Sequence, residues 1–177
     1  MAGNKIFTFP HPVNEVAARV VAAGVALMAA LTLATRRPWL IAPMAYGFVA
    51  RVLAGPTLSP LGQLSTRVIT PRLPVPPKYV AGPPKRFAQG MGAAISLSAL
   101  LLAFVFRRTS AAYALVGLIG VFAALESAFA FCIGCKAFAV LMRTGLIPEE
   151  VCAACADIQK RPGFRPDAPE ARRLATD

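Results

Sequence analysis

Histidine, tryptophan and acidic residues are scarce in this chain. One histidine and one tryptophan occur among 177 residues, and 8 Asp and Glu face 19 Lys and Arg. The histidine, His11, lies between Pro10 and Pro12. A single imidazole makes neither a metal site nor a catalytic dyad, so His11 reads as a loop residue. The acid deficit leaves a net charge of +11 and a pI near 10.4. In a soluble protein that balance points to nucleic acid. Here no aromatic residues interleave with a basic face as base stacking requires, which argues against a nucleic-acid partner. Cysteine is missing from everything before Cys132. A small-residue cleavage site is also missing ahead of Arg36-Arg37, so the first apolar run reads as a span rather than a signal peptide.

What the chain has in quantity is apolar residues. They make up 56% of it, with a mean hydropathy of +0.59. That is too apolar for an ordinary soluble domain and fits an integral membrane protein of one domain. Residues 1–158 read as the membrane domain and 159–177 as a disordered polar tail.

Four apolar segments set the expected architecture, an all-α bundle of four transmembrane helices. Val16 to Thr35 is long enough to cross about 30 Å of hydrocarbon at about 1.5 Å per residue. Arg36-Arg37-Pro38 is a tight turn, and a shorter second span runs from Trp39 to Ala54. The third runs from Phe87 to Phe106, and after the turn at Arg107-Arg108 the fourth runs from Ala111 to Phe131. Small residues recur every fourth position: Ala22, Ala26, Ala30 and Ala34; Gly90, Ala94 and Ser98; Gly120, Ala124 and Ala128. Such stripes are expected to form the close helix–helix seams. Between spans two and three lies a long basic connection, residues 55–86, holding Arg67, Arg72, Lys78, Lys85 and Arg86 but no acid, and rich in proline. Leu61, Leu64, Val68 and Ile69 fall on one helical face there. They read either as a short helix in the headgroup layer or as a solvated loop. The prolines from 71 to 84 read as extended chain.

With four spans, both termini and the long loop share a side, and most of the basic residues collect on it. The positive-inside rule then puts that side in the cytoplasm. The cytosol is reducing, so permanent disulfides are not expected there.

Arg19, Arg51 and Glu126 are the ionisable residues within the apolar segments. The arginines can snorkel to headgroups. Glu126 needs a partner, water or a proton; it is expected to pair with Arg51 or Arg19, or else to serve as a proton or charge partner in chemistry.

All four cysteines fall in FCIGCKAFAVLMRTGLIPEEVCAAC, as Cys132/Cys135 and Cys152/Cys155. Two readings stand side by side. The spacing suits a four-thiolate zinc or iron–sulfur site on Cys132, Cys135, Cys152 and Cys155. Equally, Cys132 and Cys135 form a candidate catalytic dithiol, with Lys136 nearby to favour a thiolate and persulfide carriage as a variant. Glu149, Glu150 and Asp157 surround the second pair and disfavour thiolates there.

The segments FPHPVNE, YGFVARVLAGPTLSPLGQLSTRVITPRL, GPPKRFAQGMG and FCIGCKAFAVLMRTGLIPEEVC resemble a bacterial membrane domain family of unknown function, number 4395. The resemblance spans residues 9 to about 158 and implies a small multispan membrane protein, without an activity. A looser similarity is to the quinone-linked thiol oxidoreductases of the disulfide-forming pathway, also four-helix bundles with cysteine pairs. The expected function is thiol, sulfur-transfer or redox relay at the cytoplasmic face, with the bilayer and a cytoplasmic thioredoxin-like or sulfurtransferase protein as partners. The alternatives are a non-enzymatic protein with a structural metal site and a transporter of a small sulfur species.

Overall fold

The computed structural model describes residues 12–146, and these are mostly helical. His11, Cys152, Cys155 and the expected polar tail lie outside the described residues. Helix α1, Glu15–Thr35, starts at an N-cap: the Asn14 side chain accepts a hydrogen bond from the Val16 N–H at 3.0 Å, satisfying one of the first turn's orphan donors. Residues 36–40 turn the chain, and α2 follows as Ile41–Ala54, entered through a 3₁₀ turn at Pro38–Leu40. Helix α4, Gly82–Phe104, and helix α5, Thr109–Phe129, are joined by a second tight turn. Helix α6 is Ile133–Arg143.

Three helices, α1, α4 and α5, are long and apolar enough to cross a membrane. The apolar helix over Pro38–Ala54 is shorter. The α-helical part of it, α2, has 14 residues, about 21 Å of helix against about 30 Å of hydrocarbon.

The connection after α2 is more ordered and shorter than its composition suggests. Gly55 ends α2 with φ 60°. Ser59 then caps α3, Pro60–Gln63, by accepting from Gly62 N at 3.2 Å. A π-helical turn, Leu64–Ile69, and a 3₁₀ turn, Thr70–Arg72, continue it. This segment is anchored on one side and open on the other: Leu64 and Val68 are exposed, while Leu61 and Ser65 face the bundle. Ser65 is fully buried and donates to the Ala17 carbonyl at 2.7 Å, and Leu61 packs so closely on Gly24 that a β-carbon there would stand 2.6 Å from it. α1 and α2, though consecutive, touch only slightly, while the folded-back segment packs mainly on α1. Pro83 and Pro84 are not in extended chain but in the first turn of α4, where a missing N–H costs nothing. A short antiparallel ribbon, β1 (Val13–Asn14) with β2 (Tyr79–Val80), and the Glu15–Lys78 ion pair at 2.8 Å tie the loop to the start of α1.

α1 packs along α5, α2 along α4, and α4 also along α5 and α6. The seams follow the expected stripes only in part. In α1 the buried set is Ala22 of the stripe together with Ala17, Val21, Val25, Ala29 and Thr32, while Ala30 and Ala34 are exposed. In α4 it is Gly92, Ala93, Ser96, Ala99 and Ala103, with Ala94 and Ser98 exposed. In α5, Ala112, Val116, Ile119 and Ala123 are buried, and Ala124 and Ala128 are exposed. Each seam runs mainly along a neighbouring line on the same helix, mixing small residues with branched ones; Gly120 of the α5 stripe does meet α1, where a β-carbon would stand 3.1 Å from that of Ala29.

Candidate functional site

The chain leaves α5 abruptly. Ala130 takes a left-handed conformation, φ 55°. Arg19 of α1 covers the helix end: its Nε donates to the Ser127 carbonyl at 3.0 Å and its Nη2 to the Ala128 carbonyl at 3.1 Å. A cation there satisfies orphan carbonyls and the negative end of the helix dipole. Arg19 is therefore a helix cap and is not paired with Glu126.

The break places Cys132 at the N-cap of α6, with backbone angles of −91° and 106°, and Cys135 in its first turn. Both thiols are free, Cys132 buried and Cys135 half-buried. A helix N-terminus carries a partial positive charge that favours a thiolate. The hydrogen bond from the Cys135 thiol holds Cys132 below the usual thiol range, aided by the Lys85 charge and opposed by burial and the Glu126 carboxylate. Cys135 is pushed far up, because it donates that bond and is itself partly buried. The two sulfurs thus sit in unequal surroundings, one buried at the helix N-cap and the other half-buried in the first turn.

The position of α6 depends on the residues between the cysteines. A β-carbon on Gly134 would stand 2.5 Å from the Ala88 β-carbon and 2.6 Å from its α-carbon, so only glycine lets α6 approach α4 this closely. One turn on, buried Phe138 meets Phe87 of α4, ring centroids 5.5 Å apart. Lys85 lies on the same helix, one turn before Gln89.

Glu126 forms its ion pair with Lys85, at 2.6 Å, not with Arg51 as its depth and sign suggest. The reason is helix geometry: α4 begins at Gly82, so Lys85 belongs to its first turn, on the helix that packs against α5. Arg51 instead donates from Nε to Gln89 Oε1 at 2.9 Å and from Nη1 to Ser59 Oγ at 3.1 Å, and its guanidinium lies 4.7 Å from the Phe48 ring centre. Arg51 is 5% exposed, and its Nη2 has no hydrogen-bond partner among the described residues.

These groups surround one cavity of about 70 Å³, reaching from the middle of the bundle to the start of α6 and lined by Phe48, Arg51, Gln89, Glu126 and Cys132 among others. The structure therefore gathers Arg51, Glu126 and Cys132, three of the expected site residues, and sets Cys135 beside them. Lys85, Gln89 and Ser59 are participants the sequence reading passes over. The signal for Lys85 is the Pro-Pro step before it, which marks a helix start. No group of three or more His, Cys, Asp or Glu able to hold a metal is found among the described residues. The four-cysteine metal site rests half on Cys152 and Cys155, outside them.

The model for a domain of unknown function, DUF4395, matches residues 13–143. The chain belongs to that family. No curated protein and no solved structure matches it.

Proposed function

We propose that this DUF4395 protein is a membrane dithiol relay: Cys132 and Cys135 cycle between dithiol and disulfide at the membrane surface, exchanging electrons with a thioredoxin-like protein. The observation that carries this is the placement of the pair. Cys132 caps the N-terminus of α6, Cys135 follows in the first turn, and the Lys85 charge acts on both. A structural cysteine pair needs no such positive setting, whereas exchange chemistry is helped by it.

The unequal exposure of the two sulfurs sets the direction of attack. In the disulfide form, the half-buried Cys135 sulfur is the one open to a partner. A partner thiolate attacks it, the sulfur–sulfur bond breaks, and Cys132 leaves as a thiolate, the lower-pKa leaving group. The partner's second thiol then displaces Cys135. Two electrons and two protons pass from the partner dithiol to Cys132 and Cys135. In this reading the short helix over Pro38–Ala54 completes a fourth crossing, assisted by the folded-back segment. The termini and the dithiol face the cytoplasm of a bacterial inner membrane, as the basic residues favour.

The test uses full-length protein in lipid nanodiscs, poised in dithiothreitol buffers and read by a maleimide mass shift. The expected result is one two-electron couple that requires both Cys132 and Cys135 and persists in Cys152→Ser and Cys155→Ser. Failure of the pair to close under any oxidising poise would overturn the reading. Labelling by an impermeant thiol reagent from outside intact cells would overturn its orientation.

A further inference from the structure

The cavity holds features the exchange with a protein partner does not use. Cys132 is buried at 8% exposure and lines the cavity, whereas Cys135 is the more accessible sulfur. A relay serving only a protein partner has no need of a sulfur facing inward. Arg51 lines the same cavity with an Nη2 donor that is buried and unpartnered, and leaving such a group unmet is costly. Gln89 accepts from Arg51 Nε through its amide oxygen and lines the same cavity. The Glu126 carboxylate is held by Lys85. With Cys132 as the neutral thiol, Arg51, Lys85 and Glu126 together carry one excess positive charge.

We propose that this cavity binds a small monoanion carrying sulfane sulfur, of which hydrodisulfide, HS–S⁻, is the simplest, and presents it to Cys132. The size fits: about 70 Å³ is about half of the about 150 Å³ cavity that holds benzene, room for a few heavy atoms and too little for a ring with substituents. The charge fits one monoanion. Chemistry narrows the class further. An anion is a poor target for a thiol unless it contains a weak bond to sulfur and a leaving sulfur basic enough to take the thiol's proton, and hydrodisulfide has both.

The steps balance. Cys132 attacks the neutral sulfur of HS–S⁻ as its own proton passes to the terminal sulfur; the old sulfur–sulfur bond breaks, a new one forms, and the terminal sulfur leaves as HS⁻: Cys132–SH + HS–S⁻ gives Cys132–S–SH + HS⁻. Cys135 then attacks the Cys132 sulfur, its proton goes to the departing sulfur, and H₂S leaves with the Cys132–Cys135 disulfide formed. The bound sulfane sulfur is reduced, the dithiol is oxidised, and the thioredoxin-like dithiol restores it. This rests on the dithiol reading above, and its test is separable from that one.

The experiment uses the full-length protein, reduced under argon in nanodiscs, with inorganic hydrodisulfide as the probe. In Cys135→Ser the persulfide is trapped and located by mass spectrometry; in the wild type, disulfide formation is timed. A binding site predicts persulfide on Cys132, a rate that saturates with probe concentration, and competition by thiocyanate, a monoanion without sulfane sulfur. Arg51→Gln should slow the reaction at low probe by about tenfold or more, and Arg51→Lys should recover part of it, since the donor is charged. The wild-type saturation and competition measurements stand even where an Arg51 variant fails to fold. A rate linear in probe and indifferent to thiocyanate, in a protein whose dithiol still cycles with dithiothreitol, overturns the proposal and leaves the relay intact.

Discussion

Lys85 Nζ stands 2.6 Å from Glu126 Oε1, joining the first turn of α4 to the last turns of α5. Their side chains are only 9% and 17% exposed, so each charge depends on the other. Removing one partner strands a buried charge and typically costs about 3–5 kcal/mol, while removing both costs far less than the sum. Glu126→Gln and Lys85→Met should therefore each lower stability, with a coupling of about 1 kcal/mol or more in a double-mutant cycle followed by denaturant unfolding in mixed micelles. The Arg51→Gln and Glu126→Gln cycle should show a weaker coupling. The reverse order would restore the Arg51–Glu126 pair that depth alone suggests.

The folded-back segment makes a second prediction. Ser65 is fully buried and Val75 is 52% exposed, although both lie in the same proline-rich connection. With the native cysteines replaced, Ser65→Cys should resist a water-soluble maleimide, and Val75→Cys should react freely. Equal reactivity would mean that the connection is a solvated loop.

These two cases show what the sequence makes legible. Helix positions are readable to within a few residues, because burial in lipid demands long apolar runs. Which face packs is not readable, since a helix in lipid is apolar all round. Ala30, Ala34, Ala94 and Ala128 stand at regular spacing but point outward, and the seam lies mainly on a neighbouring line where Val21, Val116 and Ile119 supply fitted bulk. Lys85 is obscured for a different reason: prolines 83 and 84 look like extended chain, yet the same fixed φ suits the first helical turn. The cysteine pair is legible as a motif. Its unequal environments come from the break at Ala130, from Lys85 and from the cavity, none of which the CxxC spacing encodes.

The unequal thiols give a pH prediction. A thiol held below its usual value is ionised at lower pH, so its alkylation rate stays high as pH falls through the ordinary thiol range near about 8.5. In Cys135→Ala the hydrogen bond from Cys135 is lost, so the Cys132 profile should move up in pH. In Cys132→Ser, Cys135 loses the neighbour that holds its proton, and its profile should move down from the far-raised position it has in the pair. Iodoacetamide rates against pH for the two single variants and the wild type check this. Coincident profiles would remove the asymmetry on which the direction of exchange depends.

Gly134 tests whether α6 must sit where it does. Its missing side chain brings α6 against the α4 backbone at Ala88, and that backbone has no rotamer to turn aside. Gly134→Ala improves helix propensity by about 1 kcal/mol in isolation, so propensity alone predicts a tighter α6. Steric crowding predicts the opposite, because overpacking at a backbone contact costs about 1–3 kcal/mol and is relieved only by moving the helix. A displaced α6 carries Cys132 away from Lys85 and from the cavity while leaving the CxxC spacing untouched. The expected outcome is a variant that still forms the Cys132–Cys135 disulfide but whose Cys132 alkylation profile shifts to higher pH, with lower stability in denaturant unfolding. Gly134→Ala with Ala88→Gly should return both toward the wild type, because the second change removes the β-carbon that the first would meet, though the α-carbon at 2.6 Å limits the recovery. A fully wild-type profile in the single variant would mean that the local CxxC helix, and not its docking on α4, sets the chemistry of the pair.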